Sequence, residues 1–183
     1  MPSVRNKFQM AALGALPQDS KNPFSLIQDK PSAWQGLVPG STGFLKFTSN
    51  VYGVRAGFIN LVNTYLDRGL DTIARIFPVY APVGHGANDP QAYIASVERL
   101  SGIPRDMVIA TPEQIYRIGK AIVQVEEGKF WVPQDEFDQG FNLAMKAKNR
   151  EMIVAAGGMG LSAIVIGIGV WYFLIREPKK QAA

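Results

Sequence analysis

The feature that most constrains this chain is an unbroken run without charge, MIVAAGGMGLSAIVIGIGVWYFLI, from Met152 to Ile175. As a helix it would rise about 36 Å at ~1.5 Å per residue. A bilayer core of about 30 Å takes roughly 20 apolar residues. The run is therefore expected to form one transmembrane helix over residues 152–175, bounded by Met152 and Ile175. Trp171 and Tyr172 lie near its end, where amphipathic rings favour the interface. A buried core helix is the weaker reading, because such a helix usually keeps a polar face. Ala156 with Gly160 and Ala163 with Gly167 give small-residue faces that could bring copies together. The frequency of glycine in membrane helices explains them equally well. Lys146, Lys148 and Arg150 precede the run, and Arg176, Lys179 and Lys180 follow it. Basic residues on both sides suit anionic headgroups and leave the orientation undecided.

Elsewhere the composition works by exclusion. The 183 residues hold no cysteine, which removes disulfides, thiolate metal sites and cysteine nucleophiles. A single histidine, His85, removes multi-histidine metal sites, and no metal or cofactor is expected. The formal net charge is +4, of which about half belongs to residues 152–183. The basic balance is therefore no footprint for nucleic acid. The N-terminus lacks the apolar run of a secretory signal.

Four segments are expected: an arm over 1–20, a soluble domain over 21–150, the span over 152–175 and a basic tail over 176–183. Proline and glycine punctuate residues 20–50, which argues for loops and short strands. Phe44 to Phe47 alternates like a strand, with Trp34 to Val38 as its partner. From Val54 to Leu66 apolar residues recur at three and four, predicting a helix that stops at Gly69. Asp71-Thr72 starts another, ended by Pro78 and Pro82. Asp89-Pro90 is a cap with proline at the first helical position, and that helix stops at Gly102. Thr111-Pro112-Glu113-Gln114 repeats the device with a capping box, and its helix runs to Gly128. A last helix over about 135–150 leads into the apolar run. The soluble part is thus expected to be mostly α with a small β-hairpin.

Trp34-Gln35-Gly36, Phe44-x-x-Phe47, Gly53-Val54-Arg55-Ala56, Tyr65, Gly69-x-x-Thr72-Ile73, Ala81-Pro82, Asn88-Asp89, Tyr93 and Val125-Glu126-x-Gly128 follow one another in an order that resembles a phage virion family. That family is described as structural-protein or lytic-transglycosylase-like. The resemblance spans about residues 21–128. It implies a lysozyme-like α+β domain acting on cell-wall glycan, and a virion setting. With the apolar run, it implies anchoring in a viral membrane. Two departures stand out. The glutamate of the family's E-N-D-T is Ala87 here, and the tryptophan of its W-A-P-P is Tyr80.

Glycan cleavage needs a carboxylic acid placed on the leaving oxygen. Glu126, near a helix end and beside apolar Val123, Val125 and Phe130, is the candidate acid; a solvated helix end is the plainer alternative. Arg55, Tyr93 and Asn88 are candidate substrate contacts. Arg55 could instead be an internal ion-pair partner, and Trp34, Phe44, Phe47, Tyr52 and Tyr93 could simply be core. His85 reads as an exposed loop residue. Two functions follow. The first is a membrane-anchored virion structural protein whose partners are the lipid bilayer and capsid or other virion membrane proteins. The second is an active virion-associated enzyme that cleaves peptidoglycan.

Overall fold

Short caps, each with a chemical reason, set the helices of this chain. Its structure, a computed structural model, describes residues 17–28, 33–83 and 89–157. A single turn, α1 (Pro17–Ser20), leads into a tight loop tied by Asn22. The Asn22 side chain is fully buried. Its amide donates to the carbonyls of Leu26 and Leu45, and its oxygen accepts from Leu26 N, all within 2.9–3.0 Å. The loop delivers β1 (Ile27–Gln28), which pairs antiparallel with β2 (Gly43–Phe44), Ile27 opposite Phe44. The expected pairing of Trp34–Val38 with the Phe44 segment survives only as one bridge, Leu37 to Phe47. Two-residue strands carry too little alternation to be found by period.

Helix α2 (Asn50–Asn60) is capped by Ser49, whose side chain accepts from Tyr52 N. It continues through a π turn (Leu61–Tyr65) and a 3-10 turn (Leu66–Arg68) to Gly69, where φ of +81° breaks it. Helix α3 (Ile73–Tyr80) starts at Thr72 as expected, but Pro78 lies inside it rather than ending it. The pyrrolidine removes one hydrogen bond in the last turn, and the helix stops two residues later. Helix α4 (Pro90–Ser101) begins at Asp89, whose carboxylate accepts from Gln91 N and Ala92 N. Helix α5 (Pro112–Glu127) carries the full capping box between Thr111 and Gln114. Gly102 and Gly128 end these two helices in the left-handed region, at φ +65° and +74°. Arg105, in the connection between them, grips the Glu98 carboxylate with its backbone N–H at 2.8 Å and its guanidinium at 2.7 and 2.9 Å.

Helix α6 (Gln134–Gly157) closes the domain by packing along α2. The core lies between them. Phe58 of α2 meets Phe24, Phe137 and Phe141 edge-on at centroid distances of 5.2, 5.4 and 4.8 Å. Glycines make this closeness possible. A Cβ at Gly57 would overlap the Phe24 ring, and one at Gly119 of α5 would overlap Phe58. At Gly53 it would strike the carbonyl oxygen of Lys21, and at Gly140 the Val54 side chain. Backbone cannot step aside as a side-chain tip can. Gly53→Ala is therefore expected to cost about 1–3 kcal/mol, the range for overpacking, despite alanine's better helix propensity. Urea unfolding of the variant checks this.

The structure corrects the membrane reading. Among the described residues no helix is long and apolar enough to cross a membrane. α6 does run on past Arg150 through Met152 to Gly157. Its length is interrupted by Asp135, Glu136, Asp138, Lys146, Lys148, Arg150 and Glu151, so this helix keeps charge over most of its course. Trp171, Tyr172 and Ile175, with the small-residue pairs from Gly160 onward, lie outside the described residues. The described part is a mostly helical domain with a two-strand hairpin. The transmembrane helix, the lipid bilayer as partner and the virion-membrane location are withdrawn.

Candidate active site

α4 and α5 pack side by side, so that the first turn of one meets the last turn of the other. This brings two of the expected site residues together. The Tyr93 hydroxyl donates to Glu126 Oε1 at 2.7 Å. Glu126 is half-buried in the final turn of α5, just before the Gly128 break. The exposed carbonyls of a helix C-terminus oppose negative charge there, and the tyrosine donor offsets that cost.

Behind Tyr93 stands a wall of aromatic rings. Phe77 stacks on it at 4.7 Å, and Tyr80 tilts against it at 5.6 Å. Tyr65, delivered by the π turn, lies 5.9 Å from Tyr80. The buried Tyr80 hydroxyl donates to the Phe24 carbonyl at 2.9 Å, tying the wall to the Asn22 loop. Burial first, and then the negative charge of Glu126, pushes the Tyr80 and Tyr93 hydroxyls well above the ordinary phenol range. Both keep their protons at any physiological pH. Tyr93 is thus a fixed donor to Glu126.

Tyr65 is pushed up to about 12, chiefly by burial. A folded phenol held above its unfolded value of 10.0 contributes stability that is complete below pH 10 and is lost as pH rises toward 12. At about 1.36 kcal/mol per pH unit, Tyr65 alone accounts for roughly 2–3 kcal/mol over that window. Alkaline unfolding followed by circular dichroism should show this loss together with that from Tyr80 and Tyr93, and Tyr65→Phe should make the profile less steep by its own share only.

The Asn22 loop also holds an unusual residue. Ser25 follows Phe24, so only one peptide unit separates it from the carbonyl that Tyr80 holds. Its backbone takes φ of +50°, in the left-handed region. For a residue with a Cβ this costs about 1–2 kcal/mol. Its side chain is also buried, and its Oγ has no hydrogen-bond partner among the described residues. Such an orphan costs about 1–3 kcal/mol.

Of the other expected site residues, Arg55 is half-buried on α2. Asn88 and His85 lie outside the described residues. Phe44 and Phe47 are core, and the Trp34 indole donates to Gln28 Oε1 at 2.9 Å. Sequence reasoning missed Tyr65 and Tyr80 as neighbours of this pair. Phe77 and Tyr80, one turn apart on α3, were the available signal for the aromatic wall; no sequence signal marks Ser25.

No protein-family model matches the chain, and no curated protein matches it. The resemblance to a phage virion family therefore finds no support, and the lysozyme-like assignment and the capsid or virion-membrane partners drawn from it are withdrawn.

Proposed function

We propose that this domain cleaves glycosidic bonds in a polysaccharide, with Glu126 as the acid that protonates the leaving oxygen. The observation that carries the reading is the 2.7 Å hydrogen bond from Tyr93 to the Glu126 carboxylate at the edge of the aromatic wall. The reaction needs a carboxyl group held in one orientation and a surface against which a sugar can lie. Tyr93 fixes the first, and the half-buried Tyr93 ring, backed by the fully buried Phe77, supports the second. A protonated Glu126 would give its proton to the glycosidic oxygen as the bond to the anomeric carbon breaks. The carboxylate so formed would then take a proton from the attacking hydroxyl, which comes from water or from the sugar itself. Entry of a glycan excludes water from the site, and that desolvation favours the neutral acid. This reading uses only described residues and needs neither anchor nor virion.

The test is cleavage by the purified full chain of isolated peptidoglycan and of chitin oligosaccharides, with products read by mass spectrometry. New chain ends are expected on at least one substrate. A folded chain that leaves both intact overturns the proposal.

A further inference from the structure

We propose that Tyr80 is a positioning residue for Glu126 and acts through Tyr93: when Glu126 takes up a proton, the Tyr93 hydroxyl turns its own proton from Glu126 to Tyr80 and becomes the acceptor that holds the neutral acid. The inference rests on the glycan-cleaving reading for its use and names the residue that favours the protonated form of that acid.

Three observations define a chain of hydroxyls. The Tyr93 hydroxyl lies 2.7 Å from Glu126 Oε1. Tyr80 is a second side-chain hydrogen-bonding neighbour of Tyr93, with its ring tilted against the Tyr93 ring at 5.6 Å. The Tyr80 hydroxyl gives its own proton to the Phe24 carbonyl at 2.9 Å. A backbone carbonyl only accepts, so the Tyr80 proton is committed and its oxygen remains as an acceptor. The Tyr93 hydroxyl thus has two acceptors beside it and one proton to give.

Beside an ionised Glu126 that proton goes to the carboxylate, because a charged acceptor makes the stronger bond. A protonated Glu126 brings a hydrogen of its own, and on Oε1 it would meet the Tyr93 hydrogen head-on. Rotation of the Tyr93 O–H removes the conflict. Glu126 then donates to Tyr93, Tyr93 to Tyr80, and Tyr80 to Phe24, so that all three bonds run one way and end on a backbone carbonyl. The proton on Glu126 comes from solvent, and both tyrosines keep theirs. Among the described residues, the titratable groups beside Glu126 are Tyr93 of α4 and Tyr80 of α3, with Glu127 next along α5. Tyr65 of the π turn stands behind Tyr80. The phenols stay neutral where a carboxyl titrates, and the charge of Glu127 opposes ionisation of its neighbour. Tyr93 alone would favour the carboxylate; Tyr80 supplies the opposite preference.

The test is a carbon-13 NMR titration of the full chain, with labelled glutamate carboxyls and tyrosine rings. The Glu126 signal is assigned from its loss in Glu126→Gln. In Tyr80→Phe the Glu126 midpoint is expected to fall by roughly 0.4–1 pH unit, because the neutral form loses its chain. In Tyr93→Phe it is expected to rise by a similar amount, because the charged form loses the stronger bond. The double variant should match Tyr93→Phe alone, since Tyr80 acts only through Tyr93. A ring that merely packs would leave the midpoint unmoved or move it the same way in both variants, and either result overturns the inference. Where Tyr80→Phe does not fold, the parent decides: the Tyr80 ring signal should shift with the Glu126 midpoint, and a stationary signal overturns it. Cleavage separates this from the reading it rests on. An acid must be protonated, so activity fades as pH rises through the Glu126 midpoint; that limb should move down in Tyr80→Phe and up in Tyr93→Phe. If the folded parent cleaves nothing, the catalytic reading falls, while opposite shifts in the titration still uphold the chain and their absence overturns it.

Discussion

Glu126→Gln is expected to lower glycan cleavage by about 10²–10⁴-fold, the usual contribution of a positioned general acid. Stability should hardly change, because glutamine keeps an oxygen that can accept from the Tyr93 hydroxyl. Tyr93→Phe supplies the contrast. It removes the donor and leaves the carboxyl in place, so cleavage should fall less steeply. Stability should drop by about 0.5–1.5 kcal/mol, the net worth of an ordinary hydrogen bond. The two variants therefore separate chemistry from positioning. Product analysis by mass spectrometry, beside a urea melt of each protein, makes the comparison. Equal cleavage by Glu126→Gln and the parent would remove Glu126 from the reaction.

The largest stability effect is expected at Phe58. Its ring is fully buried and contacts Phe24 from the loop and Phe137 and Phe141 from α6. It also lies over Gly119 of α5. Phe58→Ala empties a space bounded by three helices and a loop, none of which can collapse alone. Large-to-small changes of this kind cost about 3–5 kcal/mol. A domain of this size has only about 5–15 kcal/mol to lose. A urea midpoint close to the parent's would show that the four elements do not depend on this ring.

Much of the helical frame was legible in the sequence because caps are local. Asp89-Pro90 and Thr111-Pro112-x-Gln114 name their partners within three residues, and Gly102 and Gly128 mark breaks that need no tertiary information. The hairpin was less legible, since Ile27–Gln28 and Gly43–Phe44 are defined by a long-range pairing. Of the candidate site residues, Tyr93 and Glu126 are brought together by a hydrogen bond, while Arg55 stands on α2. Sequence shows that an arginine sits on a helix, not which way the helix faces. Tyr80 stood in the sequence as a mere departure from a tryptophan, yet its hydroxyl makes a bond to Phe24 that an indole could not make in the same way. Ser25 was invisible because strain belongs to a backbone angle that no residue type announces. The apolar run from Met152 misled in another way. Hydropathy alone speaks for a span, whereas the helix that enters the run belongs to the packed domain at least as far as Ala144.

The π turn at Leu61–Tyr65 works as a spacer of one residue. A regular helix advances about 100° per residue, so removing a single residue there would turn everything after it by that amount. Tyr65 would leave Tyr80, and Asp67 and Asn63 would no longer both reach Lys148 of α6. Chain length between Phe58 and Gly69 is thus as specific as the side chains themselves. When this segment is aligned with another protein, a gap of one position is a change of wiring, even if every remaining letter agrees.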